Sequence, residues 1–152
     1  MCDYSLMAIS NRLAVEGEVL VVHRFGAGSL GLQAASTQPQ GFWGSIKNLF
    51  SSAQLPVVCV PPGARLILRD IHASLQTDLG VGPEEEVVFT QITATENSYR
   101  DAVMFRNGKQ VLVQKLRRGQ RVRVLDLSSA EAAAEPIRVE SRQSSLLMRV
   151  GP

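Results

Sequence analysis

Cys2 and Cys59 are the two cysteines of this 152-residue chain, and they frame the chemistry open to it. Cys2 follows Met1 directly, and a residue this small allows methionine removal. The chain would then begin with an α-amino group and a thiol on one residue, a pairing that supplies a nucleophile with its own base or a bidentate metal ligand. Cys59 lies in an apolar run, where a free cysteine commonly behaves as a small hydrophobe. Together the two thiols make a redox or disulfide pair if their segments meet. A lowered thiol pKa would need a nearby cation, and Arg65 or His23 offers one. With His23 and His72 the chain also reaches the ligand count of a tetrahedral site. Cys2, Cys59 and His23 are therefore the candidate ligands for zinc or copper, although their spacing matches no zinc finger.

Charge gives the second candidate site. Residues 100–123 contain Arg100, Arg106, Lys109, Lys115, Arg117, Arg118, Arg121 and Arg123 against one acid, Asp101. Arg121 and Arg123 share one face of a strand and Arg117 and Arg118 sit at its turn, so the edge suits a phosphate or an acidic partner. The bland alternative is protection of a strand edge by charge. Base stacking would require exposed aromatics, which this stretch lacks, so nucleic acid is not the expected partner. Glu84-Glu85-Glu86 reads as a solvated turn. Gly26-x-Gly28-x-x-Gly31 follows a strand, as a dinucleotide fingerprint does, but residues 33–39 read as loop where the phosphate-binding helix should start. No Gly-x-Ser-x-Gly occurs, and no residue is assigned as catalytic.

The elements that must position these groups are mostly strands. Val19 to Phe25, Val57 to Val60, Arg65 to Asp70, Val87 to Thr93 and Arg121 to Leu127 are β-branched or alternating runs bounded by turn residues. Ile71, Leu75 and Leu79 recur at helical spacing before Gly80, predicting a short helix with a glycine stop. Residues 41–53 place Phe42, Ile46, Leu49, Phe50 and Ala53 on one helical face, predicting an amphipathic helix over the sheet. Asn107-Gly108 predicts a hairpin. A two-residue turn would put Phe105 opposite Gln110 and Met104 opposite Val111, with Met104, Val111, Ala102 and Val113 on one face and Val103, Phe105 and Leu112 on the other. Both faces are then apolar and need cover, which suggests self-association.

Composition fits a globular domain: 45% hydrophobic, 20% charged and a formal charge of +2. No apolar run approaches the roughly 20 residues of a spanning helix, and no secretory signal is read at the start. Membrane attachment is therefore not expected, and a cytoplasmic location with reduced thiols is. After Leu127 the sequence becomes Ala/Glu/Ser-rich. The division expected is a β-rich domain over 1–127 and a linker with C-terminal tail over 128–152.

Two families that open Met-Cys-Gly, the class II glutamine amidotransferases and the proteins that capture abasic DNA, use the N-terminal cysteine as nucleophile. Asp3 replaces their glycine here and their downstream patterns are missing, so their machinery is not carried over. The opening Met1-Cys2-Asp3-Tyr4-Ser5-Leu6, with Arg12-Leu13-Ala14 and the Gly17-Glu18 turn, resembles a group of small uncharacterised bacterial proteins. Cys59-Val60-Pro61-Pro62-Gly63-Ala64 and the Asn107-Gly108 hairpin, continued by Leu116 and Gly119-Gln120, are similar to that group too. The resemblance spans about residues 1–127; it favours the fold reading and implies no activity.

The fold expected is mainly β, a small barrel or sandwich with one amphipathic helix and a flexible C-terminal tail. The expected function is a non-enzymatic binding or interaction module that binds a protein partner or itself. The alternatives are a thiol-dependent redox or soft-metal protein using Cys2 and Cys59, and a hydrolase with an N-terminal cysteine nucleophile.

Overall fold

A computed structural model describes residues 6, 9–26, 28–35, 55–92 and 98–130. Its strands are β1 (Asn11–Leu13), β2 (Val19–Arg24), β3 (Leu30–Ala34), β4 (Val57–Cys59), β5 (Arg65–Arg69), β6 (Glu85–Gln91), β7 (Asp101–Phe105), β8 (Gln110–Leu112) and β9 (Arg121–Asp126). One short helix, α1 (Ala73–Leu79), separates β5 from β6, and a 3-10 turn, Val113–Lys115, follows β8. The predicted amphipathic helix over 41–53 and most of the C-terminal segment, 131–152, lie outside the described residues.

The strands form one open sheet in the order β1-β4-β3-β2-β9-β5-β6-β7-β8. This corrects the expected barrel or sandwich: the sheet does not close by strand pairing. It curls instead. Five strands separate β3 from β8 in the sheet order, yet Val58, Leu30 and Leu32 from one end share a single core with Val103, Phe105 and Val111 from the other. The side chain of Gln114, in the 3-10 turn, bridges the opening. Leu30 N–H donates to Gln114 Oε1 (2.8 Å) and Gln114 Nε2 donates to the Leu30 carbonyl (2.6 Å). One side-chain amide thus satisfies a donor and an acceptor that a neighbouring strand would otherwise take.

Alternation explains the two surfaces of the sheet. Leu20 and Val22 in β2, Leu66 and Leu68 in β5, and Val122 and Val124 in β9 are buried, while the residues between them face outward. A period of two on one curled sheet gives one packed face and one solvated face. Near β3 and β4 the outer face is covered as well. Leu6, Phe25, Val57 and Cys59 form a second, smaller core there, with Ile9 against it. Gly31 makes that contact possible: a Cβ at this position would lie 2.7 Å from Leu6 Cδ1 and 3.1 Å from Phe25 Cε2.

Helix α1 ends as predicted, with Gly80 at φ 67° and its N–H bonded to the Gln76 carbonyl. Its N-cap is His72, whose Nδ1 lies 2.8 Å from Ser74 Oγ. The hairpin register is corrected by one residue. The turn takes three residues, because Phe105 N–H bonds to the Lys109 carbonyl (2.9 Å) and Gly108 adopts φ 81°. That is the three-residue hairpin with a left-handed glycine. Val103 then faces Val111 and Ala102 faces Leu112. Val103, Phe105 and Val111 enter the core, and Met104 and Leu112 are half-buried on the other face.

Residues 128–130 are helical, and Ala130 is buried against the turn at Gly63.

Gly31→Ala should destabilise the domain by about 1–3 kcal/mol, the usual cost of forcing a methyl group into a filled core. Urea unfolding reads this as a lower midpoint at unchanged slope; an unaltered midpoint would refute the packing of Leu6 on β3.

Candidate interaction face

Ion pairs divide the arginines of this protein into two groups. Arg12 pairs with Glu18. Arg65 lies 2.6 Å from Glu86 and 3.6 Å from Asp126, Arg106 lies 2.6 Å from Glu86, and Arg69 Nε lies 2.9 Å from Glu84. The pairs shift their own titrations. The Arg12 guanidinium, by hydrogen bonding, holds the Glu18 carboxyl below its usual range, helped by the Val15 N–H and opposed by burial. Hydrogen bonds from Arg65 and Arg106 lower Glu86, and the Ser128 hydroxyl and N–H lower Asp126. Arg12 and Arg65 are raised by the same contacts with Glu18 and Glu86.

Arg117, Arg118, Arg121 and Arg123 belong to the other group. All four are exposed and pair with no carboxylate among the described residues. Arg121 and Arg123 occupy alternate positions of β9, whose intervening Val122 and Val124 anchor the strand in the core. Arg121 stands between Val21 of β2 and Arg69 of β5; Arg123 stands between Val19 of β2 and Ile67 of β5. The turn carrying Arg117 and Arg118 is fastened to β2 by the Gly119 N–H, which donates to the Val22 carbonyl (2.8 Å). Arg24, exposed at the end of β2, lies beside this turn. The register is fixed from below by Gln120, 3% exposed, whose Nε2 donates to the Arg69 carbonyl (3.3 Å).

The stretch 100–123 does not act as one patch. Arg106 is held by Glu86, and Lys109 Nζ donates to the Asp78 carbonyl (3.1 Å). Arg69 joins the face from a strand far away in sequence. No local pattern signals it, because the β5–β9 pairing joins segments about fifty positions apart, whereas Arg24 falls on the alternation of Leu20 and Val22, opposite to Val19 and Val21. Like charges directly opposite on neighbouring strands repel, and Arg69, beside Arg121, has the Glu84 carboxylate 2.9 Å from its Nε as a counter-charge.

The cysteine candidates separate differently. Cys59 is disulfide-bonded, and no described cysteine is free. It sits in the small outer core with Leu6. Cys2 lies outside the described residues. His23, half-buried, meets Phe25 edge to face with ring centroids 5.1 Å apart, and His72 caps α1. Among the described residues no group of three His, Cys, Asp or Glu side chains is close enough to hold a metal ion. A sulfur in a disulfide offers no thiolate to a metal or to catalysis. Glu84 and Glu86, read from sequence as a solvated turn, are the ion-pair partners of Arg69, Arg65 and Arg106. Gly28 and Gly31 flank the start of β3, and a strand, where a dinucleotide site would need a helix, follows the glycines. No helix among the described residues is long and apolar enough to cross a membrane.

No family model matches the chain, and neither the curated proteins nor the solved structures include a significant match.

The lowered carboxylates set a pH dependence. Glu18, Glu86 and Asp126 bind protons less readily folded than unfolded, so their contribution is complete above the ordinary carboxylate range and is lost as pH falls through the lowered folded values. Unfolding midpoints should therefore drop on acidification, and Glu18→Gln should flatten the drop while lowering stability at neutral pH. An identical acid profile in wild type and Glu18→Gln would contradict the Arg12–Glu18 pairing.

Proposed function

We propose that this protein is a non-enzymatic, β-rich interaction module that docks an anionic partner on the outer face of β9, with Arg117, Arg118, Arg121 and Arg123 as the contacts. One observation carries the reading. The domain pairs Arg12, Arg65, Arg69 and Arg106 with its own carboxylates but leaves these four exposed, Arg121 and Arg123 on β9 and Arg117 and Arg118 in the turn that leads into it. Guanidinium groups present planar donor forks that suit carboxylate and phosphate. Concentrated on one face, they also steer an acidic partner toward it. Edge protection explains them less well, because β9 lies inside the sheet between β2 and β5.

The test is binding of fluorescent poly-glutamate by anisotropy across a salt series. Reversing Arg117, Arg118, Arg121 and Arg123 to Glu should weaken binding at least tenfold and flatten its salt dependence, whereas Lys109→Glu should leave both unchanged. Equal binding by the reversed protein would dispose of the reading.

A second reading concerns Cys59, and the observation favouring it is the disulfide itself. The sequence contains one other cysteine, Cys2, and Leu6, four positions from it, packs in the same small core as Cys59. We propose Cys2 as the partner, forming a pair that ties the N-terminal segment to β4. Disulfides persist in oxidising surroundings and are rare in a reducing cytosol, so this reading does not go with reduced thiols in the cytoplasm. Formation joins the two sulfurs and passes two electrons and two protons to an oxidant such as a small-molecule disulfide. Intact mass under non-reducing conditions should be lower than the reduced mass by two hydrogens. A monomer with two alkylatable thiols after exposure to oxidised glutathione would overturn the pairing.

A further inference from the structure

Strand β1 ends the sheet order, and its outer side is closed by side chains of its own segment. In the parallel pairing of β1 with β4, Val57 N–H donates to the Ser10 carbonyl (2.9 Å) and Ala14 N–H donates to the Cys59 carbonyl (3.0 Å). Ser10, Arg12 and Ala14 therefore turn backbone groups toward β4. Asn11 and Leu13 turn theirs to the outer side, in line with the Ile9 carbonyl and the Val15 N–H. Three groups on that side are capped. Asn11 Nδ2 donates to the Ile9 carbonyl (3.1 Å), Arg12 Nη1 donates to the Leu13 carbonyl (3.0 Å), and Val15 N–H donates to Glu18 Oε2 (3.1 Å). The Glu18 carboxylate also accepts from both Nη groups of Arg12, which fixes the guanidinium beside the strand.

These caps sit on the groups that a second β1 would need. Two copies of β1 set antiparallel about a two-fold axis at Arg12 bring Asn11 of each opposite Leu13 of the other, as pairs that exchange N–H and C=O bonds. One step further out, the Val15 N–H of one copy meets the Ile9 carbonyl of the other. The Leu13 and Ile9 carbonyls and the Val15 N–H are the groups already taken. The axis also sets Arg12 against Arg12, and like charges directly opposite on paired strands repel. Only another β1 creates that clash, so a second copy is the occupant opposed most strongly. The apolar side chains here favour pairing instead: Leu13 is 69% and Val15 61% exposed, and strand addition would bury part of both.

We infer that β1 is a latent interface between two copies of this chain, kept shut by Arg12, which Glu18 holds in place. Short strands and charged side chains are general means by which sheets avoid edge-to-edge pairing. Here the strand has three residues and a guanidinium folded over its Leu13 carbonyl. The inference is independent of the anionic face, because Arg12 is occupied by the carboxylate of Glu18 and the β9 arginines take no part in it.

Sedimentation of the full chain over a concentration series provides the test. Wild type should remain monomeric. Arg12→Met, which keeps an unbranched stem without charge or donor, should dimerise about tenfold or more tightly, its mass levelling at twice the monomer. Glu18→Ala frees the Val15 N–H but leaves the two Arg12 charges facing each other, so it should dimerise above wild type and below Arg12→Met. Circular dichroism monitors folding, and either variant carries the test if the other unfolds. Leu13→Pro added to Arg12→Met removes an N–H on the outer side, where no bond to β4 is lost, and should return the chain to monomer. Monomeric behaviour of both guard variants, or a dimer that Leu13→Pro leaves intact, overturns the inference. So does a wild-type dimer that Leu13→Pro dissociates.

Discussion

The structure depends on one sheet covering its own inner face. A sheet with a period-two pattern has an apolar side that must be shielded, and among the described residues this one shields it by curling, with Leu79 of α1 in the same core. The core that results runs from Val58 in β4 to Val111 in β8. Each fully buried aliphatic or aromatic side chain contributes on the order of 1.5–3 kcal/mol, so this core outweighs the surface ion pairs, typically worth about 0–1 kcal/mol apiece. Gln114 holds the two ends together without a strand ladder, through two hydrogen bonds to the backbone of Leu30.

The ion pairs matter for a different reason. They decide which cations remain available. Glu86 occupies Arg65 and Arg106 at once, and Glu84 occupies Arg69. Arg121 and Arg123, projecting from the outer face of a strand whose alternate residues are locked in the core, are left with their guanidinium groups exposed and a fixed spacing. A rigid strand bearing charges at a constant repeat offers more specificity than the same charges on a loop, since less conformational freedom is lost on binding. The aliphatic neighbours come from β2 and β5, so the face exists only once three strands distant in sequence have paired.

Local patterns made much of the fold legible. The β-branched runs became β2, β4, β5, β6 and β9, and Gly80 stopped α1 through its left-handed conformation. The hairpin at Asn107-Gly108 was legible as a hairpin but not in register. Asn-Gly suits both two- and three-residue turns, and the three-residue form brings Val103, Phe105 and Val111 to one side. Core burial selects between them, and burial is a property of the folded sheet. The barrel expectation failed for a related reason: composition says that a β-rich chain must bury one face, not whether its edges pair.

The sequence by itself determined the strands, the short helix with its stop, the exposed alternation of Arg121 with Arg123 and the presence of two cysteines. These depend on side-chain type, short spacing and turn chemistry, all local. Tertiary structure decided that Arg69 and Ile67 lie beside β9, that Glu86 removes Arg106 from the basic set, that Leu6 packs over Gly31, and that Cys59 is disulfide-bonded in the same small core. Each is a contact between segments far apart in the chain. Its formation is governed by which strands pair and how far the sheet curls, and no short stretch of sequence encodes either.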